Sequence, residues 1–595
     1  MKHSLFWTLL TLGAVFACEP SKPRPTGRTS PPVATTTSAK AKAPSAQSPE
    51  PGRHPRTLRG GHRSTSSKLG MVVSVESQAA AAGAAVLEAG GNAVDAAVAV
   101  ALAMAVTHPS AGNLGGGGFM LVRLKGKPTV AIDFRETAPK ALTQARFDAM
   151  IEAGGAGPDS VGVPGSPAGL VLAHERFGRL PLGEVAQPAI NLAKKGFRLG
   201  NRQALTLYWA WNKLSQSSEA RKVFGAGKNP KRANAIIKRP ALARTIEAIV
   251  KGGRAGFYQG KVAAALLEAL GKDSLLTAED LASYEAKLRE PLRVGYHGAQ
   301  VEVMPPPSAG GVALVQTLLM LDKLGAHEEP PNTARELHWL LEASRRAQAE
   351  KRFNVVDPDT LSAPEQAALL ERWLDPTSLL GKAPPSARAT PSKDVHPLFG
   401  KAMQELEHTT HFGTADAEGN VVSCTVTLSA SFGSKLMVPN TGIILNNAVA
   451  SFSTAGKNLP VGGRRTISSM APTIVLDQGQ PILLLGSPGG DTIPSTIVQV
   501  LRNILARKQS LDDAVDAARI HHGFAPDSVR IEQRRPPPRA ALNGLRAMGH
   551  VIDSSRGSMG DANSILLDSQ GKLWGYADPR EGGLATAPKK LTKSP

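Results

Sequence analysis

The chain has 595 residues, 42% of them hydrophobic, 20% charged and 4% aromatic, enough for one large layered domain or several smaller cores. Two cysteines exclude a disulfide framework and a four-thiolate metal site. No apolar run reaches the roughly 18–20 residues of a membrane-crossing helix, which excludes a multispan membrane protein.

The net charge of +20 is unevenly placed. Residues 1–70 hold eleven Lys/Arg against Glu19 and Glu50, a local excess of +9. The rest is spread thinly and can steer anionic partners. No basic stripe interleaved with aromatics occurs, so nucleic acid is not an expected partner.

Lys2 and His3 open an apolar stretch of 13 residues, Leu5 to Ala17, the length of a signal-peptide core. It ends at Val15-Phe16-Ala17-Cys18, which resembles a bacterial lipobox with Cys18 as the lipidated residue. An ordinary signal with a chance cysteine is the alternative. Either way residues 1–18 predict export, to the periplasm or an extracytoplasmic membrane face. A lipid on Cys18 would anchor the chain without spanning the bilayer. Residues 19–68 are Pro-, Ser-, Thr- and Lys/Arg-rich, with too few large apolar side chains to offset ordering entropy, and predict a disordered linker.

From Leu69 the texture changes. Met71–Val75 predicts a buried strand, and Ser77 can cap a helix running to Leu87, before Gly90-Gly91. A second helix is expected at 93–106, apolar apart from Asp95 and so buried on most sides. Residues 120–134 alternate as a hairpin would. The middle reads as mostly helical, with helices at 183–196, 240–250, 261–270, 311–324 and 333–350. Strands are expected at 412–416, 421–428, 442–445, 473–477 and 482–485. Helices near 493–507 and 511–519 follow, then strands near 562–567 and 572–576. Strands in one block and helices in others favour an α+β fold.

Three glycine-rich segments stand out, at 112–118, 305–311 and 486–490. None is a P-loop or a dinucleotide fingerprint, and by themselves they mark turns. No His-Glu-x-x-His occurs, and the adjacent His521-His522 would point to different faces of a helix, so no metal site is expected. Cys424, within an expected strand, reads as a small packed hydrophobe. Thr409-Thr410-His411 before a strand carries no chemistry by composition.

The chain nevertheless resembles the gamma-glutamyltransferase (glutathione hydrolase) family of N-terminal-nucleophile hydrolases. The resemblance rests on Gly91-Asn-Ala-Val-Asp-Ala-Ala-Val-Ala99, Thr107-His-Pro, Asn113-Leu-Gly-Gly-Gly-Gly-Phe119 and Asp133-Phe-Arg-Glu136. It continues through Met304-Pro-Pro-Pro-Ser308, Thr409-Thr-His411, Ser468-Ser-Met470, Gly486-Ser-Pro-Gly-Gly490 and His521-His522. The resemblance implies a four-layer αββα sandwich built from two self-processed subunits and no cofactor. Cleavage between His408 and Thr409 would leave a large subunit, 69–408, and a small catalytic one of 187 residues, 409–595. Thr409 would supply its hydroxyl as nucleophile and its new α-amino group as base; Thr427 would orient it. Gly489 and Gly490 would hold the oxyanion, while Arg135, Ser468 and Ser469 would grip the substrate α-carboxylate. The implied partners are glutathione or a related γ-glutamyl compound, and water or an amino-acid or peptide acceptor.

The sequence departs from the family at the α-ammonium grip, where the aligned positions are Ser429, Ala448 and Ser451 and hold no carboxylate. Hydrogen bonds to charged groups are worth about 1.5–3 kcal/mol each, so γ-glutamyl recognition is weakened at this point. A short 453–465 loop brings Arg464 and Arg465, readable as a solvated turn. Four readings stay open: a glutathione hydrolase that holds the ammonium otherwise; a glutaryl or cephalosporin-type amide acylase; an enzyme acting on a polyglutamyl or cell-envelope amide; and a non-catalytic binding lipoprotein.

Overall fold

The computed structural model describes residues 58–381, 385–401 and 408–591. Cys18, the signal segment and residues 19–57 of the linker lie outside them. Two seven-stranded sheets dominate. The first runs, in spatial order, Leu584–Thr586, Gly70–Ser74, His408–Asp416, Val421–Ser429, Gly117–Arg123, Val130–Phe134 and Lys287–Arg289. The second runs Thr65–Ser67, Leu573–Tyr576, Ser564–Leu567, Gln480–Leu485, Thr473–Asp477, Ala299–Val303 and Leu292–Tyr296.

Alternation along the strands sorts side chains into three apolar layers, because successive residues face opposite ways. Met71, Val73, Phe119, Leu121, Ile474, Leu484 and Ile565 fill the space between the sheets. Val72, Met120 and Val122 point instead to the helices Ser77–Glu88 and Ala93–Thr107 on the outer face of the first sheet. Val301, Val475 and Leu483 meet the helices Ala309–Lys323, Ala334–Asn354 and Ile493–Leu505 on the outer face of the second. The result is the expected α+β, αββα layering. Among the described residues no helix is long and apolar enough to cross a membrane.

The Ala93–Thr107 helix is buried along its whole length. Its one charge, Asp95, is satisfied by the N–H groups of Asn92, Arg179 and Leu180, so burial leaves no unpaired carboxylate. The Ala334–Asn354 helix is more demanding, since Glu336, Glu342, Arg345, Arg346, Glu350, Lys351 and Arg352 are all buried. Pairing makes this tolerable: Glu342 with Arg346 at 2.7 Å, Glu350 with Arg372 at 2.7 Å and Glu336 with Arg507 at 2.7 Å.

Several expectations are corrected. The folded body begins before residue 69: Leu58 is buried, Thr65–Ser67 pairs with Leu573–Gly575, and Arg63 bridges Asp512, Asp513 and Asp516. Glu76, not Ser77, caps the first helix by accepting the Ala79 N–H. The supposedly helical middle contains the strands 287–289, 292–296 and 299–303, the last two joined through His297-Gly298 at positive φ. Residues 442–445 form no strand; single bridges from Ile444 to Met437 and from Leu445 to Gly115 replace a ladder. The helix from 511 stops at Asp516, and His521-His522 lies on the strand Ile520–His522. Between them Arg519 turns inward, its buried guanidinium reaching Asp578 at 2.6 Å and the Met559 carbonyl at 2.7 Å.

Arg465 is the largest correction, being 3% exposed rather than solvated. It lies 3.3 Å from Asp133, its N–H donates to Asp357 at 2.8 Å, and its guanidinium covers the Tyr284 ring. It pins the loop after 453 onto the strand that leads to Arg135. Arg465→Met, which keeps the aliphatic stem, is expected to cost about 3 kcal/mol by leaving buried carboxylates under-compensated. Denaturant unfolding of wild type and variant checks this.

Candidate active site

The site is assembled by register across the first sheet. Thr409 pairs with Thr427, Thr427 with Gly117, and Gly118 with Phe134, the residue before Arg135. One row thus carries Thr409, Thr427 and, one step past the end of the strand Val130–Phe134, Arg135. A register shift separates His408, opposite Ser429, from Thr409, opposite Thr427. The extra residue is Leu428 on the partner strand, so the bulge lies directly opposite the His408–Thr409 bond. Ser429, at φ +75, completes the distortion.

Thr427 links the groups around that bond. Its hydroxyl donates to the His408 carbonyl at 2.6 Å and accepts the Ser429 N–H at 2.9 Å. The Thr409 hydroxyl stands 3.4 Å away, in position to donate to Thr427 Oγ1. Asn113 fixes Thr427 from behind: its amide donates to the Thr427 carbonyl at 2.8 Å and its oxygen accepts the Gly116 N–H and the Ser166 hydroxyl. A Cβ at Gly116 would sit 2.2 Å from that carbonyl, so only glycine admits this approach. The asparagine was visible in its motif, but nothing local assigned it this role.

Thr409 opens onto a cavity of about 260 Å³ whose wall includes His108, Arg202, Pro488, Gly489 and Glu581. Gly489 has φ +121, and a Cβ there would meet Thr492 Oγ1 at 2.4 Å. With Gly490 at φ +57 it forms a turn ahead of the Ile493–Leu505 helix. Successive N–H groups in such a turn make a concave anion site. Asp491 anchors the turn: it is buried, 2.5 Å from Arg530 and 3.3 Å from Arg352, and Gln348 donates to its carbonyl at 2.8 Å.

Arg135 is buried. It donates to Glu136 at 2.6 Å, to Ser451 Oγ at 3.4 Å and to the carbonyls of Thr466 and Ile467, directly before Ser468-Ser469. Lys351 reaches Ser469 Oγ from the buried charged helix, a cation that sequence reasoning missed because its partner is 118 residues away. Arg135, Ser451, Ser468 and Ser469 are therefore gathered together. Ser429 Oγ is buried and takes no partner among the described residues. Glu136 places a carboxylate beside Arg135; burial raises its pKa against the opposing pull of Arg135.

Burial keeps the nearby imidazoles neutral. His408 and His108 are each pulled down to about 4, chiefly by desolvation, with Lys435 and Arg202 adding to the effect on His408. His411, at about 3, bonds Thr425 Oγ1 at 2.9 Å and leaves room only for glycine at Gly486. Cys424 is buried and free, as a packed hydrophobe. His521 and His522 are lowered to about 3 and about 4, again mainly by burial.

Residues 79–587 match the family profile described as gamma-glutamyltranspeptidase. The glutathione hydrolase proenzyme of Escherichia coli K12 is 37% identical over 538 residues, spanning 86% of this chain and 90% of that protein. The acylase ACY 1 proenzyme of Pseudomonas sp. strain SE83 is 32% identical, over 89% of this chain and 96% of that protein. The solved cephalosporin acylase of Bacillus halodurans superposes with a TM-score of 0.78 at 26% identity, covering 90% of this chain and 99% of that one.

The depressed histidines set an acid limit on stability. An unfolded histidine titrates near 6.5, so His411, His521 and His522 contribute fully above that pH, and the contribution drains away as pH falls to about 4 for His522 and about 3 for His411 and His521. Urea unfolding at pH 5 should give a stability lower by at least about 1 kcal/mol than at pH 7, in the direction set by extra protons on the unfolded chain.

Proposed function

This chain belongs to the gamma-glutamyltranspeptidase family, and on that premise we propose that it is a self-cleaving γ-glutamyl hydrolase and transferase with Thr409 as nucleophile. The observation that carries the reading is the Thr427 hydroxyl, placed between Thr409 Oγ1 and the His408 carbonyl at a β-bulge. Thr409 Oγ1 would attack the His408 carbonyl carbon, and the Thr427 hydroxyl would stabilise the developing oxyanion. Collapse breaks the His408–Thr409 C–N bond, the hydroxyl proton passing to the departing Thr409 nitrogen, and gives an ester. Water then hydrolyses it, releasing the His408 carboxylate and a free Thr409 α-amine.

An α-amino group titrates near 7.7–8.0, so it can take the hydroxyl proton of its own residue at neutral pH. The neutral, buried His411 is not required for this step. Thr409 Oγ1 then attacks the γ-glutamyl carbonyl, and the N–H groups of Gly489 and Gly490 receive the oxyanion, worth roughly 3–4 kcal/mol per donor. The leaving amine takes the proton, and water or an acceptor amine resolves the γ-glutamyl ester. Arg135 with Ser468 and Ser469 would hold the α-carboxylate; Ser429 and Ser451 stand on the ammonium side. Glutathione, the substrate in the name of the Escherichia coli relative, is the compound this reading assigns.

The acylase reading has its own support. Ser429, Ala448 and Ser451 supply hydroxyls or a methyl where an ammonium needs anions, and acylases are among the relatives. A glutaryl group keeps the distal carboxylate and lacks the amine.

Thr409→Ala should persist as one chain on denaturing gels while wild type runs as two, the shorter beginning at Thr409 by N-terminal sequencing. An uncut wild type would overturn the nucleophile assignment. In parallel assays, γ-glutamyl anilide should be turned over faster than glutaryl anilide, and Ser451→Asp should widen the ratio by about tenfold, one charge-assisted hydrogen bond's worth. Preference for the glutaryl compound would select the acylase.

A further inference from the structure

A larger cavity, of about 510 Å³, lies apart from the Thr409 cavity and shares no lining residue with it. Its size is that of a small-molecule site. Lys222, Lys231, Lys238, Arg239 and Arg244 line it, with Glu219 as the one acid in the wall. Glu219 is already engaged by Lys222 at 3.5 Å. Lys231 donates to the Val223 carbonyl. Lys238 and Arg244 are exposed and have no carboxylate partner among the described residues. The wall therefore carries a cationic excess that the protein does not itself neutralise.

Two further features point the same way. Arg239 is 2% exposed, yet its guanidinium meets no carboxylate among the described residues, only the carbonyls of Ala105, Val106 and Gly442 and the face of the Phe224 ring, and its Nε has no hydrogen-bond partner. A buried guanidinium without a carboxylate is costly, and an anion in this cavity would compensate it. Arg239 is also the N-cap of the 13-residue helix Pro240–Gly252, which has no side-chain cap. Pro240 and Ala241 line the cavity, so the positive end of the helix faces the same space.

We propose that this cavity binds a small anion carrying two or more negative charges, phosphate or carboxylate, held by Lys238 and Arg244 at the mouth and by Arg239 and the helix end beneath. Each of these groups recognises either anion type: guanidinium and ammonium by charge-assisted hydrogen bonds, the helix end by its partial positive charge and the Ala241 N–H, since Pro240 has none. The site is distinct from the γ-glutamyl machinery and requires no step of that chemistry.

Calorimetric titration of the purified enzyme with inorganic pyrophosphate and, separately, with citrate tests it. The expected result is saturable 1:1 binding of at least one probe at physiological salt. Affinity should fall at least tenfold in Lys238→Met/Arg244→Met, with γ-glutamyl hydrolysis and thermal midpoint unchanged. Which probe binds more tightly distinguishes phosphate from carboxylate recognition. Equal affinity in wild type and variant, or no saturable binding of either probe, would overturn the proposal. The charge reversal Lys238→Glu/Arg244→Glu provides a second check and should abolish binding altogether.

Discussion

The chemistry depends on one constraint: the peptide bond before Thr409 sits at the distorted end of a strand that is central in its sheet. His408–Asp416 is hydrogen-bonded on one side to Gly70–Ser74 and on the other to Val421–Ser429. The ladder holds Thr409 opposite Thr427, while the extra residue Leu428 on the partner strand interrupts the ladder opposite the His408–Thr409 bond. Rigidity on one side of the bond and irregularity on the other are both needed. A fully regular strand would bury the carbonyl in sheet hydrogen bonds, and a loop would not hold the hydroxyl.

The same pairing explains how two chains could stay together after scission. In the first sheet, strands from before His408 flank both sides of the pair His408–Asp416 and Val421–Ser429. In the second, Thr65–Ser67 lies at one edge and Leu292–Val303 at the other, with later strands between. Separating the two products would expose the backbone of both sheets and the apolar layer between them. Unpaired buried amides and lost burial each make that unfavourable.

A second layer of control comes from the Ala334–Asn354 helix. A charged helix is normally a surface element, but here its charges are folded inward and neutralised in pairs. Lys351, Arg352 and Gln348 project from its C-terminal half to Ser469 and Asp491, that is, to the Ser468-Ser469 loop and the glycine turn. One rigid element thus positions two loops that are far apart in the chain. Arg465 does the same for the loop after 453, through Asp133 and Asp357.

Much was legible in the one-dimensional pattern: local periodicity marked the buried Ala93–Thr107 helix and the strands that follow Thr409, while the αββα class came through the family resemblance of its motifs. The hairpin at 292–303 was not read from the sequence, although Leu292, Val294 and Tyr296 alternate before a His-Gly turn, because it is embedded among helices. Arg465 and Lys351 were not, because a charged residue in a polar stretch looks solvated until its partners are placed. The sequence by itself determined which residue types are available for the site and how the elements alternate. Only the tertiary structure decided that Asn113 backs Thr427, that Lys351 meets Ser469 and that Arg239 lacks a counter-charge. Those contacts join residues more than a hundred positions apart, and their energies depend on desolvation, which no local window of sequence reports.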